Sequence, residues 1–239
     1  MTNTSYLSIQ EHFKIAKNTD QYFSEKFDKF NSYVIPGHRE KGQDSGRPKA
    51  GLAQLSRKDM DIIKDRVVTN QFRLQAQILN FSSTRLLWIN SYFPTDPQNA
   101  AFDDGELLEV LAEVEKSMDN NAYDDILWQG DLNWDMSRDS YFSLTMKRFM
   151  SRIGLVSLWD KHEIDYTHMH TDFRSTSIID HFVMNEQLLS LIADCRPLHL
   201  GDIRSRHIPI LVKLNLGAIS AKQEFLMKTP RRPTCLVQG

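Results

Sequence analysis

Asp125-Ile-Leu-Trp-Gln-Gly-Asp-Leu-Asn-Trp134 decides how this chain reads. Asp125–Gly130, with the apolar run Ile126-Leu127-Trp128, predicts a buried strand. Gly130-Asp131-Leu132-Asn133 follows at its end. A glycine before two short polar side chains lets a ligand approach the backbone. An ordinary Asx turn is the alternative at this position.

Working outward, strand-like and helix-like blocks alternate. Upstream, Asp104–Met118 carries Leu107, Leu108, Leu111, Val114 and Met118 at helical spacing, with acidic residues in its first turn to suit the helix dipole. Before it, Phe72–Asn80 and Ser83–Tyr92 predict strands, the second stopped by Pro94. Ala50–Ser56, Tyr33-Val34-Ile35 and Tyr6–Gln10 predict three more. Asp20–Phe30 has helical spacing, with Thr19 or Asp20 as its cap. The polar stretch Gly37–Gly51 predicts a loop. Downstream, Ser140–Ile153 predicts a helix, Ile178–Asn185 a strand, Glu186–Ile192 a short helix and Ile208–Leu216 a last strand. From Ser220 the pattern dissolves into a basic, Pro-containing tail with Lys228-Thr-Pro-Arg-Arg-Pro233. Such mixing predicts α/β layers or two sheets flanked by helices.

Composition narrows the function class. The 239 residues carry 29 Lys+Arg against 31 Asp+Glu, a formal charge of −2. That argues against a uniformly basic nucleic-acid binder, but not against a nucleic-acid enzyme whose metal-binding carboxylates offset basic contacts. With 41% hydrophobic residues, 10 Gly and 8 Pro, the chain is neither collagenous nor wholly disordered. Two cysteines, Cys195 and Cys235, cannot build a disulfide framework or a cysteine-based zinc site. No apolar run approaches the roughly 18–20 residues of a membrane span. The expectation is an intracellular protein with reduced thiols and no membrane partner.

Four polar clusters fall at predicted strand ends, where a rigid sheet positions side chains. They are Gln10-Glu11-His12, Gly130–Asn133, Asp180-His181 and Ser205-Arg206-His207-Ile208-Pro209. Tyr92-Phe93-Pro94 and Tyr166-Thr167 are lesser points. Singly, each has a plain reading: Glu11 as a solvated end, Asp180 as half of an ion pair, His207 as a strand-edge imidazole. Together they make a hard-oxygen site with one imidazole, which suits Mg²⁺ or Mn²⁺ and not zinc. A His paired with an Asp can transfer a proton or stabilise phosphorane charge. That set fits metal-assisted phosphodiester hydrolysis.

The order Gln-Glu, Tyr-Phe-Pro, Gly-Asp-Leu-Asn, Tyr-Thr, Ile-Asp-His and Ser-x-His-x-Pro resembles the endonuclease/exonuclease/phosphatase superfamily. Within it, the chain is most similar to the apurinic-type endonuclease domain of non-LTR (LINE-like) retrotransposons. Gly46-Arg47-Pro48, Gly51–Leu55, Ser91–Asp96 and Trp128–Trp134 strengthen that likeness. The resemblance implies a deoxyribonuclease I-like, four-layered α/β sandwich: two mixed sheets packed together and flanked by helices. It implies Mg²⁺ (or Mn²⁺) dependence and DNA nicking that leaves a 3′-hydroxyl. By the same carry-over, Glu11 is the metal ligand and Tyr92 binds or polarises the phosphate. Asp131 aligns or deprotonates the attacking water, and Asn133 holds phosphate or water. Thr167 supports the site, and Asp180 orients His207 against the scissile phosphate.

Two departures accompany the likeness. Arg206 stands where the family usually has Asp, so a cation replaces a possible metal-ligating anion; it is also a candidate phosphate contact. The family's Asn-bearing strand before Gln-Glu is absent, so residues 1–217 read as an endonuclease/exonuclease/phosphatase domain lacking its first strand, and 218–239 as a linker or tail. Lys14, Lys17, Lys41, Arg47, Lys49 and Arg204 are further phosphate-positioning candidates. A reverse transcriptase region in a longer parent polyprotein, and nuclear action, are implied by the family alone. The alternatives are a catalytically impaired remnant or domesticated DNA-binding module, and a phosphatase or phosphodiesterase of the same superfamily.

Overall fold

A computed structural model describes residues 4–15, 18–39, 48–60, 63–81, 84–96, 104–171, 174–199 and 205–215. In chain order its elements are β1 (Tyr6–Ile9), α1 (Thr19–Lys26), β2 (Phe30–Ile35), β3 (Leu52–Arg57), β4 (Ile63–Val67), β5 (Leu74–Phe81), β6 (Thr84–Tyr92), α2 (Gly105–Asp119), β7 (Asp125–Asp131), α3 (Tyr141–Ile153), β8 (Val156–Ser157), β9 (His168–Met169), β10 (Thr176–Ser177), β11 (Asp180–Met184), α4 (Glu186–Leu189), β12 (Ile192–Pro197) and β13 (Ile210–Leu214).

The larger sheet runs β4-β5-β6-β7-β11-β8. β6 and β7 are parallel, joined through α2, and the other neighbours are antiparallel. Successive side chains on a strand face opposite ways, and this sheet is apolar on both sides. One set, including Ile89, Trp128 and Val183, forms a single core with Val110 and Val114 of α2 and Phe142 and Met146 of α3. The other set, Leu86, Trp88, Leu127 and Met184, shares a second core with Leu188, Tyr6, Val212 and Leu214. The smaller sheet, β1-β3-β2, buries Ala53 and Leu55 against Phe23 of α1. The layers are therefore α2/α3, the large sheet, the small sheet and α1. This is the expected four-layered α/β sandwich. β12 and β13 pair with each other as a separate hairpin.

The two sheets meet through amides as well as apolar groups. Gln54 Nε2 donates to the Trp88 carbonyl at 3.0 Å, Gln75 Nε2 to Tyr33 O at 2.7 Å, and Gln129 bonds Ser8 Oγ. Buried amides of this kind hold register, because slipping one residue would leave each of them unpaired. Two indole nitrogens are satisfied the same way: Trp128 Nε1 donates to Ser91 Oγ at 2.8 Å and Trp134 Nε1 to Ser143 Oγ at 2.9 Å.

Several boundaries differ from expectation. α1 starts at Thr19, and Asn18 in the cap position makes no side-chain cap bond; Thr19 Oγ1 instead donates back to Ile15 O at 2.8 Å. β2 begins at Phe30, because the whole run Phe30–Ile35 pairs with β3. β4 carries no strand signal in its sequence: Ile63-Lys-Asp-Arg-Val67 is charged because it is an edge strand, where charge blocks further pairing. The helix expected over Glu186–Ile192 stops at Leu189, since Ile192 pairs with Leu214 in the hairpin. The tail from residue 218 lies outside the described residues, as do Lys17, Lys41, Arg47 and Arg204. No helix among the described residues is long and apolar enough to cross a membrane.

His181 is 1% exposed, stacked on Trp134 with ring centroids 5.0 Å apart, and bonded to the Trp134 carbonyl at 2.6 Å. Burial lowers its pKa. Between that lowered value and the ordinary histidine range the unfolded chain binds the extra proton, so stability rises with pH there and falls on acidification. On acidification from pH 7.5 to 5.5, thermal melts should show the parent losing more stability, or gaining less, than His181→Phe. Equal changes in parent and variant would contradict this role for His181.

Candidate active site

Strand pairing alone assembles the centre of the site. β6 and β7 place Tyr92 beside Asp131, and β7 and β11 place Asp131 beside Asp180. The three residues therefore lie in one row across adjacent strands. They share the face that carries Trp88, Leu127 and Met184, the face turned toward the small sheet. Glu11, two residues past β1, arrives from that opposite sheet. His207, which leads into β13, closes the group.

His207 Nδ1 lies 2.9 and 3.1 Å from the two Asp180 carboxylate oxygens, and its Nε2 lies 3.8 Å from Asp131 Oδ2. Burial opposes charging this imidazole, but the Asp180 hydrogen bond and charge, then Asp131 and Glu11, outweigh it and raise its pKa. His207 is thus held as an imidazolium with its Nε2 nearest to Asp131. Asp131 is 4% exposed. Burial first, then the Asp180 charge, raises its pKa; His207 and the Asn133 amide pull the other way. A buried carboxylate beside another resists ionisation until a cation arrives.

Two site residues, Asn133 after β7 and Glu11 after β1, have left-handed backbone. Asn133 has φ 47° and Glu11 φ 54°, both in the left-handed region that non-glycine residues rarely occupy. The Asn133 amide donates to Asp131 Oδ1 at 3.1 Å, and its side-chain Nδ2 donates to Phe93 O at 2.9 Å. Tyr92 hydrogen-bonds the Glu11 side chain, and its pKa is raised by burial, then by Glu11 and Asp131. Thr167 is fully buried and works through others: its Oγ1 accepts from the backbone amides of Ile179 and Asp180, each at 3.0 Å, and its carbonyl accepts from Ile208 N at 2.7 Å. It ties Asp180 to the segment of His207. Arg206 is exposed, and its carbonyl accepts from Met169 N at 3.0 Å.

Glu11, Asp131 and His207 offer ligand atoms that all lie within 4.8 Å of one another. His207 as an imidazolium has no lone pair for a metal and is left to face an anion, while the two carboxylates offer hard oxygens that fit a hard divalent ion better than a soft one. If they hold one, Mg²⁺ at ten times its Kd should stabilise the fold by about 1.4 kcal/mol. The shift should grow as pH rises through the Asp131 titration, because binding displaces that proton. Calorimetric melts with and without Mg²⁺ check this, and Glu11→Gln should abolish the shift.

No family model matches the chain and no curated protein sequence matches it. Solved structures do. The AP endonuclease of Leishmania major matches with a TM-score of 0.65 at 16% identity, covering 88% of this chain and 78% of that one. The AP endonuclease of Archaeoglobus fulgidus matches at 0.65 and 14%, covering 89% of both. The chain has the AP-endonuclease fold. The endonuclease domain of TRAS1, a telomere-specific non-LTR retrotransposon, shares it at a TM-score of 0.55 and 18% identity, over 77% of this chain and 80% of that one.

Within this AP-endonuclease fold, some residues at the site escape a reading of the sequence. Asn90 is fully buried; its Oδ1 accepts from Gln10 Nε2 at 2.6 Å, and its Nδ2 reaches Ala53 O at 3.3 Å and Gln75 Oε1 at 3.4 Å. It locks the end of β1, and so Glu11, to the large sheet. Its signal is a polar residue directly after the apolar run Leu86–Ile89, two before Tyr92. His168 packs with its ring centroid 4.6 Å from that of His207, and no motif announces it.

Proposed function

We propose that this chain is a divalent-metal-dependent endonuclease domain that nicks DNA by phosphodiester hydrolysis. The observation that carries the reading is the row Tyr92–Asp131–Asp180 with His207 between the two aspartates and Glu11 opposite. A divalent cation held by Glu11, with Asp131 in reach, would supply Lewis-acid charge to the phosphate oxygens. Asp131 aligns the attacking water and takes its proton as the P–O bond to water forms and the P–O3′ bond breaks, the leaving oxygen taking a proton from solvent to become the new 3′-hydroxyl. The His207 imidazolium, fixed by Asp180, stabilises the negative charge that builds on the phosphoryl oxygens. Tyr92 and Asn133 place hydroxyl and carboxamide dipoles on the same phosphate. Thr167 holds Asp180 and His207 in mutual register. Arg206, exposed at the rim, contacts a flanking phosphate, as Lys14 and Lys49 do from the other side.

The comparisons support a nuclease or phosphatase reading; a structural neighbour from Neisseria is a 3′ phosphatase bound to product DNA hairpin. DNA cleavage is favoured over small-ester hydrolysis because of the likeness to a retrotransposon endonuclease. On the same reading the chain is a retrotransposon-derived domain from a longer polyprotein with a reverse transcriptase region, acting on nuclear DNA. The test is a duplex with one abasic site, incubated with Mg²⁺ and then with a polymerase. Extension from a new 3′-hydroxyl is expected. Hydrolysis of small phosphomonoesters with the duplex left intact would favour the phosphatase reading.

One observation favours a second reading, an impaired enzyme. Among the described residues, β1 pairs only with β3 and β13 only with β12, so the small sheet and the hairpin each keep an open edge. On this reading the domain takes a further Asn-bearing strand there. Supplying that strand with Arg206→Asp should raise nicking from nothing, whereas full nicking by the chain as it stands would dismiss the idea.

A further inference from the structure

Arg73 is a cation without a place in the chemistry above. It directly precedes β5 and is 6% exposed. Its Nε donates to Glu106 Oε1, in the first turn of α2, at 2.6 Å. Its guanidinium carbon sits 5.1 Å from the centroid of the Tyr92 ring and 5.2 Å from that of Phe72, within the range of a cation–π contact. The backbone adds a second tie: Tyr92 N donates to Arg73 O at 2.9 Å. One guanidinium nitrogen, Nη1, is buried with no hydrogen-bond partner among the described residues.

A buried guanidinium with one exposed partner and one unpaired nitrogen is an expensive way to fill space, since an apolar side chain would do it without the desolvation. Its geometry serves Tyr92 instead. The planar cation covers the ring and fixes its tilt, while the Tyr92 hydroxyl is held at Glu11 from the other end. Glu106 holds the guanidinium in turn, so the start of α2 is linked by contact to the metal-binding carboxylate through Glu106, Arg73 and Tyr92.

We propose that Arg73 is a positioning residue that sets the orientation of Tyr92 at the reacting phosphate, anchored by Glu106. The inference rests on the endonuclease reading for its kinetic test, but its spectroscopic test needs no activity. In chain labelled with 3-fluorotyrosine, the Tyr92 resonance is the ¹⁹F signal lost in Tyr92→Phe. Arg73→Met should shift and broaden it, and Arg73→Lys, which keeps a cation, should restore it in part. In nicking assays Arg73→Met should lower kcat about 10- to 100-fold with KM nearly unchanged, and Arg73→Lys should recover part of that. In a Tyr92→Phe background the same substitution should cost less than threefold. Should Arg73→Met fail to fold, Glu106→Gln, at a half-exposed position, should give a smaller shift of the same signal and a three- to tenfold loss of kcat. An unmoved Tyr92 resonance, or equal losses with and without Tyr92, would overturn the proposal. An active-site resonance that responds as stated in a chain that never nicks DNA would instead count against the endonuclease reading.

Discussion

Replacing Asp131 by Asn is expected to lower nicking about a thousandfold without unfolding the protein. The substitution keeps the shape of the side chain and an oxygen to accept the Asn133 amide at 3.1 Å. On the proposed mechanism it removes the charge that draws the proton from water and helps hold the cation, steps each worth about two orders of magnitude. Stability should move the other way. Asp131 is buried beside Asp180, which raises its pKa. A carboxyl whose folded pKa is raised weakens the fold as pH climbs through the ordinary carboxylate range toward the folded value, because only the unfolded chain loses its proton freely. A carboxamide in its place carries no such penalty. In metal-free buffer at pH 7.5 the Asp131→Asn variant should melt at or above the parent, and its Mg²⁺ shift should largely vanish. A variant that is both inactive and less stable would mean that Asp131 is a structural residue.

Gly130→Ala is expected to cost about 4 kcal/mol or more, or to prevent folding outright. Gly130 has φ 145°, a conformation that L side chains rarely adopt. A Cβ there would stand 1.9 Å from the Ser91 carbonyl oxygen, which belongs to the neighbouring parallel strand. No rotamer relieves a clash with backbone. The strands must separate by well over an ångström, at the pair that leads directly to Tyr92 and Asp131. Chemical denaturation of Gly130→Ala measures this. A loss below 1 kcal/mol would show that β6 and β7 are not paired as described. Gly154, with φ 71° but no atom near its Cβ position, is the control: Gly154→Ala should cost only about 1 kcal/mol.

These two residues, Gly130 and Asp131, are neighbours in sequence, and they show why the fold is legible there. Ile126-Leu127-Trp128 announces a buried strand, and Gly130 announces a close approach, here to Ser91. The strand-end clusters are legible because those at Glu11 and Asp131 sit where an apolar run stops, and those at Asp180 and His207 where one starts. What joins them is not. Asp131 and Asp180 are far apart in the chain and adjacent in the sheet only because β11 inserts between β7 and β8. No local pattern encodes that order; it is set by which faces the sheet must bury. Edge elements are hidden for a related reason. β4 is charged, and β9 and β10 have two residues each, too short for a period to register. Asn90 and Arg73 lie among apolar neighbours, and their partners, Gln10, Gln75 and Glu106, come from elsewhere in the chain. A buried polar residue tells that it must be satisfied, but not by what.

The central claim is that this constellation cuts DNA with a divalent metal and His207. It is tested most directly by incubating supercoiled plasmid with the parent chain and with His207→Ala, each in Mg²⁺ and in EDTA. The parent in Mg²⁺ should convert supercoiled plasmid to open circles, with EDTA abolishing the reaction and His207→Ala, folded by circular dichroism, slowing it at least a hundredfold. Nicking that survives EDTA or the loss of His207 would contradict the account.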